Sequence, residues 1–195
     1  MESEFELQQD LIHLNHAAVA PWPRCVRQAV ENFARENANQ GSLHYPDWVK
    51  KEANLRRLLA QLINTPQADD IALLKSTSEA LSVVAHGLSW QVGDNVVISD
   101  QEFPSNRIVW ESLQERGVEV RQVDLSSRDS PEQALILACN PNTRLLAISS
   151  VQYATGLRVD LSTLGQFCRE PVSYTHLRAH ETLRSISYAV FCLKK

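Results

Sequence analysis

No apolar run in this sequence approaches the roughly 20 residues that a membrane-spanning helix needs. The first ten residues, MESEFELQQD, lack the basic-then-apolar order of a secretory signal. These two absences make a cytoplasmic protein with no membrane partner the expectation. The four cysteines, Cys25, Cys139, Cys168 and Cys192, lie far apart and form no CxxC pair, which argues against a zinc site and against a disulfide framework. Reduced thiols are expected, buried ones acting as small hydrophobes. There is no basic stripe, and the formal net charge is −4, so nucleic-acid binding is set aside. Neither GxGxxG nor GxxxxGK[ST] occurs, so dinucleotide and P-loop binding have no support.

What remains is ordinary for a globular protein: 195 residues, 44% hydrophobic and 22% charged, long enough for one domain with a real core. Pro21-Trp22-Pro23 suits an extended arm, giving an N-terminal segment over 1–24. The periodicity predicts a helix from Arg24 to about Asn37, with Val26, Val30 and Phe33 on one face. Gly41 and Pro46 break it, and Asp47 is the expected N-cap of a second helix ending near Ile63. Alternation follows, with short strands at Asp70–Leu74, Asn95–Ser99, Glu119–Val123 and Arg144–Ser150. Helices are predicted between and after them at Ser78–Leu88, Ser105–Glu115, Pro131–Ala138 and Leu161–Arg169. This is an α/β pattern: a mainly parallel sheet with helices on both faces, three layers in all, occupying about 25–170. In such sheets ligands sit at the carboxyl ends of strands.

Three strand ends carry polar or aromatic groups suited to a ligand. Ser76, Thr77 and Ser78 stand where a helix begins, where free backbone N–H groups and the helix dipole favour a phosphate and the hydroxyls add donors. A plain N-cap by Thr77 or Ser78 is the alternative. Phe103, in the polar loop Asp100–Asn106, could stack on a flat ligand or fold back on the core. Gln152 and Tyr153 could hydrogen-bond a ring substituent, or could belong to a turn closed by Gly156.

The segments His13-Leu14-Asn15-His16-Ala17-Ala18 with Pro21, Lys75–Ala80, Ser99–Asn106 and Ser149–Gly156 together resemble the class V aminotransferase family of pyridoxal-phosphate enzymes, which includes the cysteine desulfurases. The resemblance implies the large domain of a pyridoxal-phosphate-dependent transferase, here incomplete. It implies that Ser76, Thr77 and Ser78 hold the cofactor phosphate, that Phe103 stacks on the pyridine ring, often the place of a histidine, and that Gln152 or Tyr153 lies near the ring hydroxyl. Asn15 and His16 match the segment that approaches the substrate. A small-molecule amino-acid substrate and a homodimer are implied as well. The acidic partner of the pyridinium nitrogen and the Schiff-base lysine come, in relatives, later than residue 170, and a desulfurase's nucleophilic cysteine later still. The chain is therefore expected to be an inactive N-terminal part of such an enzyme. A non-enzymatic α/β module binding a phosphate ligand, and a small phosphate-ligand enzyme complete as it stands, are the alternatives.

From Pro171 the character changes. Residues 171–195 carry Arg178, Arg184, Lys194 and Lys195 against one acid, Glu181, leaving the preceding 170 residues far more acidic than the whole. His176 and His180 stand at i, i+4, but the glutamate follows the second histidine and does not make HExxH, so no metal is expected. Ser173–Glu181 can be encoded by a run resembling a transposase-type sequencing-library adapter. Ile186–Leu193 resembles its distal end in the same frame, and Lys194-Lys195 a poly-A run-off. Residues 171–195 are accordingly expected to be a non-native tail, excluded from fold reasoning.

Overall fold

The computed structural model describes residues 4–15, 19–126 and 130–168, and the backbone of 180–182 and 186–188. His16 and most of the tail lie outside these residues. The chain forms two compact units, Met1–Leu73 and Leu74–Lys195.

In the first unit the proline-bracketed segment is extended, Pro23 having φ −61° and ψ 154° and pairing with Phe5. Helix α1 (Arg24–Gln40) follows and ends at Gly41, whose φ of +58° no β-carbon obstructs. Helix α2 runs Tyr45–Ile63 and ends at Asn64 in the left-handed conformation. Asp47 is not its cap. The cap is His44 and the helix begins three residues earlier, because Pro46 occupies the first turn, where a missing N–H leaves nothing unpaired. Asp47 instead holds Lys50 at 2.9 Å, and this hydrogen bond keeps its carboxyl below the usual range. The helices are tied by Trp48, whose indole N–H donates to Glu36 at 2.9 Å and whose ring meets Phe33 edge-on at 5.2 Å. Val26, Val30 and Phe33 do share a face, but it is exposed, as are Leu55, Leu58 and Leu62 of α2.

The predicted strand at Asp70–Leu74 does not form. Ala68–Asp70 is a 3₁₀ turn, and the apolar residues after it straddle the boundary between the units. A strand exists only on a ladder, and no strand pairs with this segment among the described residues.

The second unit is built on three parallel strands: β1 (Asn95–Ser99), β2 (Glu119–Val123) and β3 (Thr143–Ala147), in the order β2-β1-β3. Strand β1, flanked on both edges, is buried throughout, which is why its centre, Val96, Val97 and Ile98, is apolar. Its side chains alternate. Val96 and Ile98 pack with Leu145 and Ala147 against Leu81 and Ala85 of α3 (Thr77–Gly87) and Val109 and Trp110 of α4 (Ser105–Glu111). Val97 packs with Leu146 and Ile148 against Leu135 of α5 (Pro131–Ala138) and Leu164 of α6 (Leu161–Phe167). Helices thus cover both faces, giving the expected three layers. Helix α4 tightens into a 3₁₀ turn ended by Gly117 at φ +79°, where a β-carbon would press on Val92 at 3.1 Å.

At the amino end of the strands Asn95 donates to Asn140 at 2.9 Å and accepts the Thr143 hydroxyl at 2.7 Å, pairing buried polar groups where the β1–β3 register shifts. Beyond the unit's sheet, β4 (His180–Thr182) and β5 (Ile186–Tyr188) pair antiparallel with each other. No helix among the described residues is long and apolar enough to cross a membrane.

Candidate functional site

Strands β1 and β3 are adjacent and parallel, so the loops that follow them leave the same edge of the sheet. The first loop turns sharply. Ser99 Oγ accepts the Gln101 N–H at 2.9 Å, and the Asn106 N–H returns to the Phe103 carbonyl at 2.8 Å as α4 begins. The second loop is a narrow hairpin. Val151 bridges Arg158, the Gln152 N–H donates to the Leu157 carbonyl at 2.9 Å, and the Val159 N–H donates to the Ser150 carbonyl at 2.8 Å. Gly156, at φ +70°, makes the reversal, as its place after Tyr153-Ala154-Thr155 suggested.

The structure brings Phe103 and Tyr153 together. Their rings meet edge to face at 5.1 Å, and they remain 53% and 64% exposed. Phe103 is therefore not folded back on the core. Gln152, their neighbour, is the opposite case, at 1% exposure. Its Nε2 donates to Glu102 at 3.3 Å and to the Ser149 carbonyl at 3.1 Å, while its Oε1 is buried without a partner. Both Nε2 partners are acceptors only, which fixes the orientation of the amide.

Glu102 is the residue sequence reasoning passed over. It is buried, and its carboxylate accepts the Ser149 N–H at 2.7 Å, the Ser149 hydroxyl at 2.6 Å and the Asn106 amide at 2.8 Å, besides Gln152. Asn106 in turn accepts the indole N–H of the buried Trp110 at 3.0 Å. A second tie joins the loops at their exposed ends, where Thr155 donates to Gln101 at 2.6 Å. The available signal was the Glu102–Asn106–Trp110 spacing of four, in which Asn106 and Trp110 share a face of α4 and Glu102 lies just ahead of the helix.

Ser76, Thr77 and Ser78 stand at the start of α3, all exposed. Ser76, not Thr77 or Ser78, is the cap: its Oγ accepts the Glu79 N–H at 3.2 Å, and Glu79 reaches back to the Lys75 N–H at 2.9 Å. Thr77 and Ser78 occupy the first two helical positions, whose N–H groups have no intrahelical acceptor. Asn15 is exposed in the first unit, and His16 lies outside the described residues. Among the described residues no three His, Cys, Asp or Glu side chains gather to hold a metal.

Among the described residues Cys25 is exposed, and Cys139 and Cys168 are half-buried. Burial pushes the Cys139 thiol up to about 11, and the thiol leans on the Leu135 carbonyl at 3.3 Å.

The Aminotransferase class-V family profile matches residues 12–185, a span that runs past Glu170. A probable cysteine desulfurase from Methanothermobacter thermautotrophicus is 33% identical over 172 residues, covering 86% of this chain and 43% of the relative. A cysteine desulfurase from Klebsiella pneumoniae is 30% identical over 168 residues, covering 80% of this chain and 41% of the relative. The chain thus spans less than half the length of these curated relatives. Among solved structures, a C-DES variant with glycine covalently linked to its PLP cofactor superposes with a TM-score of 0.77 at 21% identity, over 85% of this chain and 45% of the other. The cysteine desulfurase CsdA from Escherichia coli gives 0.74 at 24% identity, over 89% and 46%. These likenesses establish the fold.

Proposed function

The chain belongs to the class-V aminotransferase family, and from that premise we propose that it is the cofactor-holding N-terminal part of a pyridoxal-phosphate enzyme acting on an amino acid. The reaction is transamination or C–S bond chemistry of the cysteine desulfurase kind, in line with the relatives' names. One observation carries the reading: two loops at the carboxyl ends of adjacent parallel strands present an exposed aromatic pair beside a buried amide with an unused acceptor.

The residues fit the group. The phosphate falls to the free N–H groups of Thr77 and Ser78 and to the Ser76, Thr77 and Ser78 hydroxyls. Ser76 Oγ is already an acceptor for the helix, which leaves its O–H to donate. Phe103 covers the ring and excludes water from it. Gln152 is the residue proposed near the ring hydroxyl, with Tyr153 alongside. Asn15 and His16 belong to the substrate side. When bound, the cofactor serves as an electron sink for charge developed on the substrate, and the protein decides which bond breaks.

The domain division follows the same reading: an arm over 1–24, a partial large domain over 25–170, and a non-native tail from 171. The complete enzyme is a cytoplasmic homodimer. The exposed apolar stripes of α1 and α2 support the dimer. The capped helix favours one second reading, a phosphate-ligand module without catalysis, in which Ser76 serves only the helix.

The test is the genomic continuation of the reading frame. Joined to it, the purified protein should carry pyridoxal phosphate and turn over an amino acid. A continuation with no lysine and no acid, in a protein that binds inorganic phosphate but not the cofactor, would support the module instead.

A further inference from the structure

Two loops 47 residues apart in sequence share one buried carboxylate, and that sharing is more than a stabilising contact. Glu102 spends both oxygens: Oε1 takes the Ser149 N–H and the Gln152 amide, Oε2 the Ser149 hydroxyl and the Asn106 amide. A carboxylate has only acceptors to offer, so every one of its partners is held as a donor. The consequence falls on Gln152. Its Nε2 is committed to Glu102 and to the Ser149 carbonyl, so the face left over is Oε1. Phe103 is the next residue after Glu102, and Tyr153 the next after Gln152, so the bond between the two polar side chains also sets the distance between the two rings. Those rings are exposed and have little core packing to hold them in place.

We infer that Glu102 is a positioning residue, fixing the register of the β1 and β3 loops and the orientation of the Gln152 amide, so that the Phe103–Tyr153 ring pair and a hydrogen-bond acceptor are set before any ligand arrives. Ring placement and amide orientation are then properties of the empty site. The inference deepens the proposed function by resting on the same residues. Its own readouts need no cofactor, so failure here is distinct from failure of that reading.

The experiment is aromatic and methyl NMR on the 195-residue chain with amide exchange at Ser149, comparing the parent with Glu102→Gln. In the parent, edge-to-face contact places protons of one ring over the face of the other, giving an upfield ring-current shift. Glu102→Gln faces two donors with an amide N–H₂. It should lose most of that shift and speed Ser149 exchange by roughly ten-fold, the order expected for weakening one hydrogen bond to a charged group. The methyl signals of Val97 and Leu146 should stay in place, an outcome that mere loss of stability would not produce. Should Glu102→Gln fail to fold, Ser149→Ala removes one bond to the same carboxylate and should displace the ring-current shift part-way. A ring-current shift and Ser149 exchange unchanged in Glu102→Gln, or in Ser149→Ala where that is the variant that folds, would overturn the inference.

Discussion

The Phe103 and Tyr153 rings meet edge to face at 5.1 Å, each supplied by a different loop and each more than half exposed. An aromatic pair at the surface of an α/β protein leaves apolar area uncovered that a flat ligand would bury. In the complete enzyme, Phe103→Ala should weaken cofactor retention by about 1 kcal/mol or somewhat more, the size of an aromatic pairing contribution. Dialysis against a cofactor-free buffer, followed by absorbance of the retained pyridoxal phosphate, measures it. Unchanged retention would remove Phe103 from the site.

The three hydroxyls at the start of α3 should separate by role. Ser76→Ala removes the acceptor for the Glu79 N–H, besides one proposed phosphate donor, and should lower stability by about 1 kcal/mol, as for other N-caps. Ser78→Ala, and less strongly Thr77→Ala, should instead reduce affinity for the phosphorylated cofactor by about 1.5–3 kcal/mol, the range for hydrogen bonds to charged groups. Comparing pyridoxal phosphate with phosphate-free pyridoxal isolates the effect. If Ser78→Ala leaves the ratio of the two affinities where it was, the phosphate lies elsewhere.

The thiols should react in order of exposure. Cys139 has its thiol pushed up to about 11 from an ordinary 9.0 by burial, so at pH 8 it holds almost no thiolate. Iodoacetamide at that pH should modify the exposed Cys25 well before Cys139, as peptide mass mapping would record. The sign for stability follows from the raised value. Above the unfolded pKa the unfolded thiol ionises and the folded one does not. The contribution is therefore fully present below about pH 9 and is lost as the pH rises from there through about 11. Cys139→Ala should flatten that part of the stability profile. A Cys139 alkylated as fast as Cys25 would contradict the buried environment.

Much of this was legible from residues, and the failures have physical causes. Strands β1 and β2 have the ends that the sequence predicts; β2 carries only Val120 and Val123 among polar residues, whereas in β1 the short apolar run Val96–Ile98 between turn residues leaves little choice. The supposed strand at Asp70–Leu74 has the same local pattern, yet a ladder is a property of neighbours and not of a segment. The start of α2 was misplaced because Pro46 was read as a breaker, whereas in the first turn it is at home. At the candidate site, Phe103, Gln152 and Tyr153 stand out in the sequence because strand ends are where ligands sit in such sheets, and the structure brings the two rings together. Glu102 was not, because an acid in a polar loop looks solvated until a second loop from 47 residues away supplies its donors.

The tail offers a test at the level of DNA. Residues 171–195 shift to a net positive charge and resemble translated adapter, while the family match extends to residue 185. Sequencing the source locus should show different codons after Glu170. The same tail codons in genomic DNA would restore these residues to the protein, and the β4–β5 pair would then need a place in its fold.

Catalysis should be absent from this chain as it stands, because the chemistry needs a lysine amine at the cofactor aldehyde with its pKa lowered by the site. Before residue 171 the sequence holds only Lys50, Lys51 and Lys75. Lys50 is exposed and paired with Asp47 at 2.9 Å on α2, and Lys51 is exposed beside it. Lys75 is the nearest in sequence to the proposed phosphate loop, but its side chain is 82% exposed and leans toward Glu79 at 3.8 Å. A side chain rooted next to the turn proposed to hold the phosphate starts at the wrong end of the cofactor. Incubating the purified chain with pyridoxal phosphate, reducing with borohydride and mapping the labelled peptides should therefore show scattered, substoichiometric adducts and no consumption of any amino acid. A single stoichiometric adduct on one lysine, accompanied by turnover, would mean that the chain assembles a working site from residues assigned here to the surface.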